Sequence, residues 1–138
     1  MTLPPDVEAL VASHLRGRQA VSAIVGQRVG TRTPGTLAAP WVRLTQINDE
    51  PATVSSALHL VTVWLQIDCY AGDDRDHGQE QASLLARTVR DELHRMPGTY
   101  STGVVTAVRF SGTRRAPDDD LDPARERYSF DAYLSVHP

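Results

Sequence analysis

The chain has 138 residues, of which 41% are hydrophobic and 22% charged, and its formal net charge is −3. These values exclude a disordered tail and a polycation that would hold nucleic acid by counterion release. The single cysteine, Cys69, excludes an internal disulfide and a cysteine-rich metal site. No apolar run approaches the roughly 20 residues that cross a bilayer, so no membrane partner is expected. The length predicts one domain over residues 1–138. MTLPPDVEAL lacks a basic n-region, so synthesis in the cytoplasm without a signal peptide is expected. All fourteen basic residues are arginine, a side chain whose planar fork pairs carboxylates in bidentate fashion.

In chain order, the first prediction is a helix over 4–16. Pro5 suits a first helical turn, Asp6 and Glu8 complement its positive end, and Val7, Leu10, Val11 and Leu15 recur at helical spacing. Gly17 is the expected C-cap. Residues 19–26 read as a helical turn leading to a brief strand near Arg28–Thr31. Pro34, Gly35 and Pro40 make 32–40 a loop.

Trp41–Asn48 reads as a strand, 49–56 as a turn, and Leu58–Tyr70 as a long strand. On that strand His59, Val61, Val63, Leu65, Ile67 and Cys69 form the predicted core face. Leu58, Leu60, Thr62, Trp64, Gln66, Asp68 and Tyr70 form the other. Thirteen residues at roughly 3.3 Å each span about 43 Å, against a diameter of roughly 35–40 Å for a domain this size. The strand is therefore expected to overhang the body, where its edge would pair with a neighbouring copy.

Asp76 is the expected cap of a helix running to about Met96, with Gln79 as its capping-box partner. Ala82, Leu85, Ala86, Val89 and Leu93 form the apolar stripe. Gly103–Ser111 is predicted as a strand with Val104, Thr106, Val108 and Phe110 on one face. Residues 112–126, GTRRAPDDDLDPARE, form a charged loop. Arg127–Val136 closes the chain as a strand with Tyr128, Phe130, Ala132, Leu134 and Val136 inward. The fold class is α+β: a roughly four-stranded, mostly antiparallel sheet, with the N-terminal helix and one long central helix packed on one face.

No constellation assembles catalytic chemistry. Cys69 falls mid-strand on the apolar face, where a thiol stays protonated. The five histidines do not pair at helical spacing. Asp73, Asp74, Asp76, His77 and Glu80 lack the spacing of a metal loop. Asp118, Asp120 and Asp122 match the first ligands of a calcium loop, but Pro123 stands where its glycine belongs and the terminal glutamate is missing. Neither a metal nor a cofactor is expected, and no enzyme.

Two features point to contacts instead. Arg114, Arg115, Arg125 and Arg127 flank Asp118, Asp119, Asp120 and Asp122, a pattern that reads as a solvated loop or as a salt-bridged subunit rim. Trp64, Leu58 and Leu60 form an apolar patch opposite the core face, either a contact surface or a surface covered by helix 4–16. Arg32, in the 32–40 loop, completes the candidate interface set.

From end to end the chain resembles the tail terminator family of siphophages, also described as tail completion or minor tail proteins. The resemblance lies in the order of features: DVEALVASHL, a loop ending at Pro40, the strand WVRLTQI, LVTVWLQIDCYAG running into EQASLLARTVRDEL, VVTAVRFSG, a charged loop with Pro117-Asp118, and the closing ARERYSFDAYLSV. It implies a virion protein forming a hexameric ring on the head-proximal end of the tail tube. Such a ring stops tube polymerisation and docks head-completion or connector proteins, and DNA passes through its lumen without specific binding. The alternatives are another neck or tail-tube protein, a small cytosolic α+β ligand-binding domain, or an enzyme using the acids of 73–80.

Overall fold

The structure, a computed structural model, describes residues 3–35, 37–51, 60–73, 76–121 and 123–138. Helix α1 (Val7–Arg16) starts at Asp6, whose carboxylate accepts the Ala9 N–H at 3.2 Å, and ends at Gly17 as predicted. Pro5 precedes that cap instead of entering the first turn. Helix α2 (Gln19–Val25) leads to β1 (Val29–Gly30), and β2 (Trp41–Pro51) and β3 (Val61–Tyr70) follow. Helix α3 (Gly78–Leu93) begins with His77 at its N-cap position, one residue later than the Asp76 cap that the capping-box pattern predicts. The remaining strands are β4 (Gly98–Tyr100), β5 (Gly103–Phe110), β6 (Arg114–Arg115) and β7 (Arg127–His137).

Among the described residues the sheet has seven strands, not four, in the order β1-β2-β3-β7-β5-β4, with β6 also paired to β7. Only the β1–β2 pair is parallel. The unpredicted strands β4 and β6 are two or three residues long, too short to carry alternation. They are strands because a long neighbour offers its backbone.

All three helices lie on one side of the sheet. Val7, Val11 and Leu15 of α1, Val21 and Val25 of α2, and Leu85, Ala86, Val89 and Leu93 of the predicted α3 stripe cluster with Leu44, Leu65, Ile67, Cys69, Phe130 and Leu134 from the strands; Ala82 is buried as well. The helices are amphipathic and the long strands alternate, so one layer of helices on one sheet face buries every apolar stripe. Burial pushes the Cys69 thiol well up, with the neighbouring Asp68 charge adding to it, so Cys69 acts as a packing residue.

The structure corrects two expectations about strands. Over its ten described residues the strand β3 has no free edge: they pair with β2 on one side and β7 on the other along their whole length. Leu58 and His59 lie outside the described residues, and Leu60 lies just before the strand. In β5, the register shifts between Val105 and Ala107. Thr106 is thus an extra residue, and Val105, not Val104, joins Val108 and Phe110 toward the core. A bulge reverses a strict two-residue alternation in this way. A second shift, between Gln46 and Asn48 in β2, leaves Ile47 exposed.

Candidate interaction face

The sheet face opposite the helices carries the residues of interest. Helix α1 packs with the core set, so it does not cover Trp64, contrary to one of the two sequence readings. Two zones divide this face along the β3 and β7 strands.

The first zone surrounds Tyr70. Trp41 stacks on its ring at 4.3 Å, nearly parallel. Both residues are fully buried. The Arg43 and Arg127 guanidinium groups lie 5.3 and 5.7 Å from the Tyr70 ring centre. The Tyr70 hydroxyl donates to the Asp118 carboxylate at 2.9 Å and accepts from Arg127 at 3.2 Å. Arg127 also donates to the Ala116 carbonyl at 2.6 Å and lies 3.6 Å from Asp118. The described residues of 112–126 are consequently tethered as a hairpin: β6 pairs with Tyr128 and Ser129, and Asp118 and Arg125 form an antiparallel bridge.

This geometry sorts the charged candidates. Asp118 and Arg125 are buried, and Arg125 donates to the Leu37 and Pro123 carbonyls. Arg115 makes a bidentate pair with Glu126 at 2.7 and 3.1 Å, which raises the Arg115 pKa further. Arg114 lies 3.8 Å from Asp131. Asp119, Asp120 and Arg32 are exposed, and Asp122 lies outside the described residues. Arg32 borders a separate surface hollow formed by residues 27–34.

Burial pushes the Tyr70 pKa up to about 12 from an ordinary 10, and its bond to Asp118 adds to this against the lowering by the arginines. The neutral phenol is therefore the form that the fold favours. Its contribution is full below pH 10 and is lost as the pH rises through about 12. The difference amounts to roughly 2–3 kcal/mol at about 1.4 kcal/mol per unit. Tyrosinate absorbance during an alkaline titration checks this: a late component near pH 12 is expected in the native protein, absent from Tyr70→Phe. A titration unchanged by Tyr70→Phe would refute it.

Sequence reading missed the polar group beneath this zone. Asp68 is fully buried and accepts from Ser129 Oγ, from Gln66 Nε2 at 3.1 Å and from Arg43 at 3.5 Å. The signal was present as an acid in an apolar strand, aligned by register with Arg43. Pairing it required knowing which strands are neighbours.

The second zone is a cross-strand row. Asn48, Trp64, Tyr133 and Arg109 lie side by side on β2, β3, β7 and β5. Trp64 stacks on Tyr133 at 5.8 Å, and Arg109 lies 5.2 Å over the same Tyr133 ring. With Thr62 they line a cavity of about 160 Å³. The Trp64 indole nitrogen is shielded from solvent and, among the described residues, has no acceptor. Arg109 is exposed and, among the described residues, has no carboxylate partner.

A family model described as Tail completion protein gp17 matches residues 9–135. A chain solved in the virion of a native gene transfer agent particle superposes with a TM-score of 0.72 at 21% identity, covering 96% of this chain and 95% of that one. At that identity the likeness speaks to the fold. No curated protein matches the chain.

Proposed function

Since the chain belongs to the Tail completion protein gp17 family and is thereby a phage tail structural protein, we propose that it forms a ring on the head-proximal end of the tail tube. In this reading the ring is hexameric and has no catalytic role. One ring face copies the contacts by which tube subunits stack, and the other does not. Addition of the ring therefore ends polymerisation and leaves a surface for head-completion proteins. Contacts between identical subunits around the axis are heterologous, so each copy needs two different patches. A net charge of −3 per subunit suits a lumen through which DNA slides without being held.

The family match over residues 9–135 carries this reading. Strand length does not, because β3 is satisfied on both sides within its own chain. The interface candidates that remain outward are Arg32, Arg114, Arg115, Asp119, Asp120 and the half-buried Trp64. Asp118, Arg125 and Arg127 support them by tethering the 112–126 hairpin. Asp122 and Leu58, both outside the described residues, and Leu60 complete the proposed set.

Particles assembled without this chain test the reading. Electron microscopy is expected to find tails of irregular, extended length that do not join heads. Tails of normal length, joined to heads, would sink it.

A further inference from the structure

We propose that the row Asn48, Trp64, Tyr133 and Arg109 seats the acidic turn at Asp119–Asp120 of a second copy of this chain. The inference rests on the ring reading and names the contact that would build it. The seat has the composition of an interface hot spot, with a tryptophan, a tyrosine and an arginine in one half-buried row. Its exposed donor is the Arg109 guanidinium, which has no carboxylate partner among the described residues. A cavity of about 160 Å³ admits one side chain. A carboxylate placed there pairs with the Arg109 guanidinium, whereas an apolar group leaves it without a counter-charge.

The same chain carries the complementary piece. Asp119 and Asp120 are exposed, and among the described residues neither carboxylate has a partner. The turn beneath them is already ordered. Asp118 and Arg125 exchange backbone bonds at 2.9 and 3.2 Å. The Asp118 carboxylate accepts from Tyr70 at 2.9 Å and from the Asp120 N–H at 3.1 Å. Binding an ordered turn sacrifices little chain entropy.

The turn cannot reach its own seat. Tyr70, which anchors it, and Trp64 are separated by six positions on β3, about 20 Å at roughly 3.3 Å per residue. The contact is therefore between copies and joins two unlike patches, the arrangement a ring requires.

Cysteine cross-linking of the purified full chain tests this. Thr62→Cys places a thiol in the seat and Asp120→Cys places one on the turn, leaving Asp119 to carry the charge. Cys69 is buried and its thiol protonated, so it does not compete. Oxidation of the double variant at high protein concentration is expected to give a ladder of multiples of 15.1 kDa on a non-reducing gel. Each single variant stops at dimers. Adding Arg109→Glu is expected to cut the ladder about tenfold, as a like-charge contact replaces an attractive one. Arg109→Lys retains it, and melting temperatures stay close because Arg109 is a surface residue.

No ladder, or a ladder indifferent to Arg109→Glu, overturns the seat. If the ladder is absent while tails lacking the chain are over-long, the seat is wrong and the ring reading stands. A charge-dependent ladder together with normal tails in the absence of the chain upholds the contact and removes its assigned role in tail completion.

Discussion

Truncating Phe130 to alanine is expected to lower the unfolding free energy by about 3–5 kcal/mol. Phe130 is fully buried in β7, opposite Ile67 of β3. Its ring meets Phe110 edge to face at 5.8 Å, and the Arg90 guanidinium of α3 lies 5.8 Å from its centre. Truncation removes a side chain that faces β3, meets Phe110 of β5 and lies beneath Arg90 of the long helix. The surrounding strands are pinned by their ladders and cannot collapse into the space, so the cavity term is retained in full. A domain holds only about 5–15 kcal/mol in total, so the variant should unfold at a much lower urea concentration with an unchanged slope. A loss below about 1 kcal/mol would mean that this position is not the centre of the core.

Replacing Asp68 by alanine is expected to cost a similar amount, about 3–5 kcal/mol. The mechanism differs, because the loss comes from the groups left behind. The Ser129 hydroxyl and the Gln66 amide lose their acceptor, and Arg43 loses the carboxylate that accounts for its position beside Tyr70. Each buried donor without a partner costs about 1–3 kcal/mol. Asp68→Asn keeps an acceptor oxygen and should cost clearly less. In a double-mutant cycle, Ser129→Ala should cost less in the Asp68→Ala background than in the native one, since the hydroxyl then has nothing to bond. Additive losses across that cycle, read by urea unfolding, would refute the shared bond.

Much of the fold was legible before any coordinates. The α1 and α3 stripes, the inward residues of β3 and β7, and the break at Pro40 are local patterns, and local periodicity reports directly which face is apolar. Two kinds of feature were not legible. The bulges at Ile47 and Thr106 are settled by how two strands fit together, and neither residue type marks them. The short strands β4 and β6 exist only as partners of longer ones.

The candidate face divides in the same way. Its chemistry was visible as a run of aspartates among arginines and as Trp64 on the non-core side of its strand. The division of labour within the run was not. Asp118, Asp119 and Asp120 are identical residues in sequence order, yet the first is tied to Tyr70 and the other two are exposed. Tyr70 is 48 positions from Asp118, and nothing local to either residue announces the bond. The same holds for Arg109, which reaches Trp64 only through Tyr133.

The amino-acid sequence by itself determined the class of this protein: a mixed α+β chain, one helical layer against an alternating sheet, without an assembled catalytic group in its motifs. Those properties follow from spacing along the chain, where hydrophobicity repeats with the period of the element that buries it. Tertiary structure alone decided the strand order, the bulges, the buried carboxylate Asp68 and which charges point outward. Each depends on residues far apart in sequence meeting across a strand pair, and pairing energy is shared between partners that neither sequence segment specifies alone.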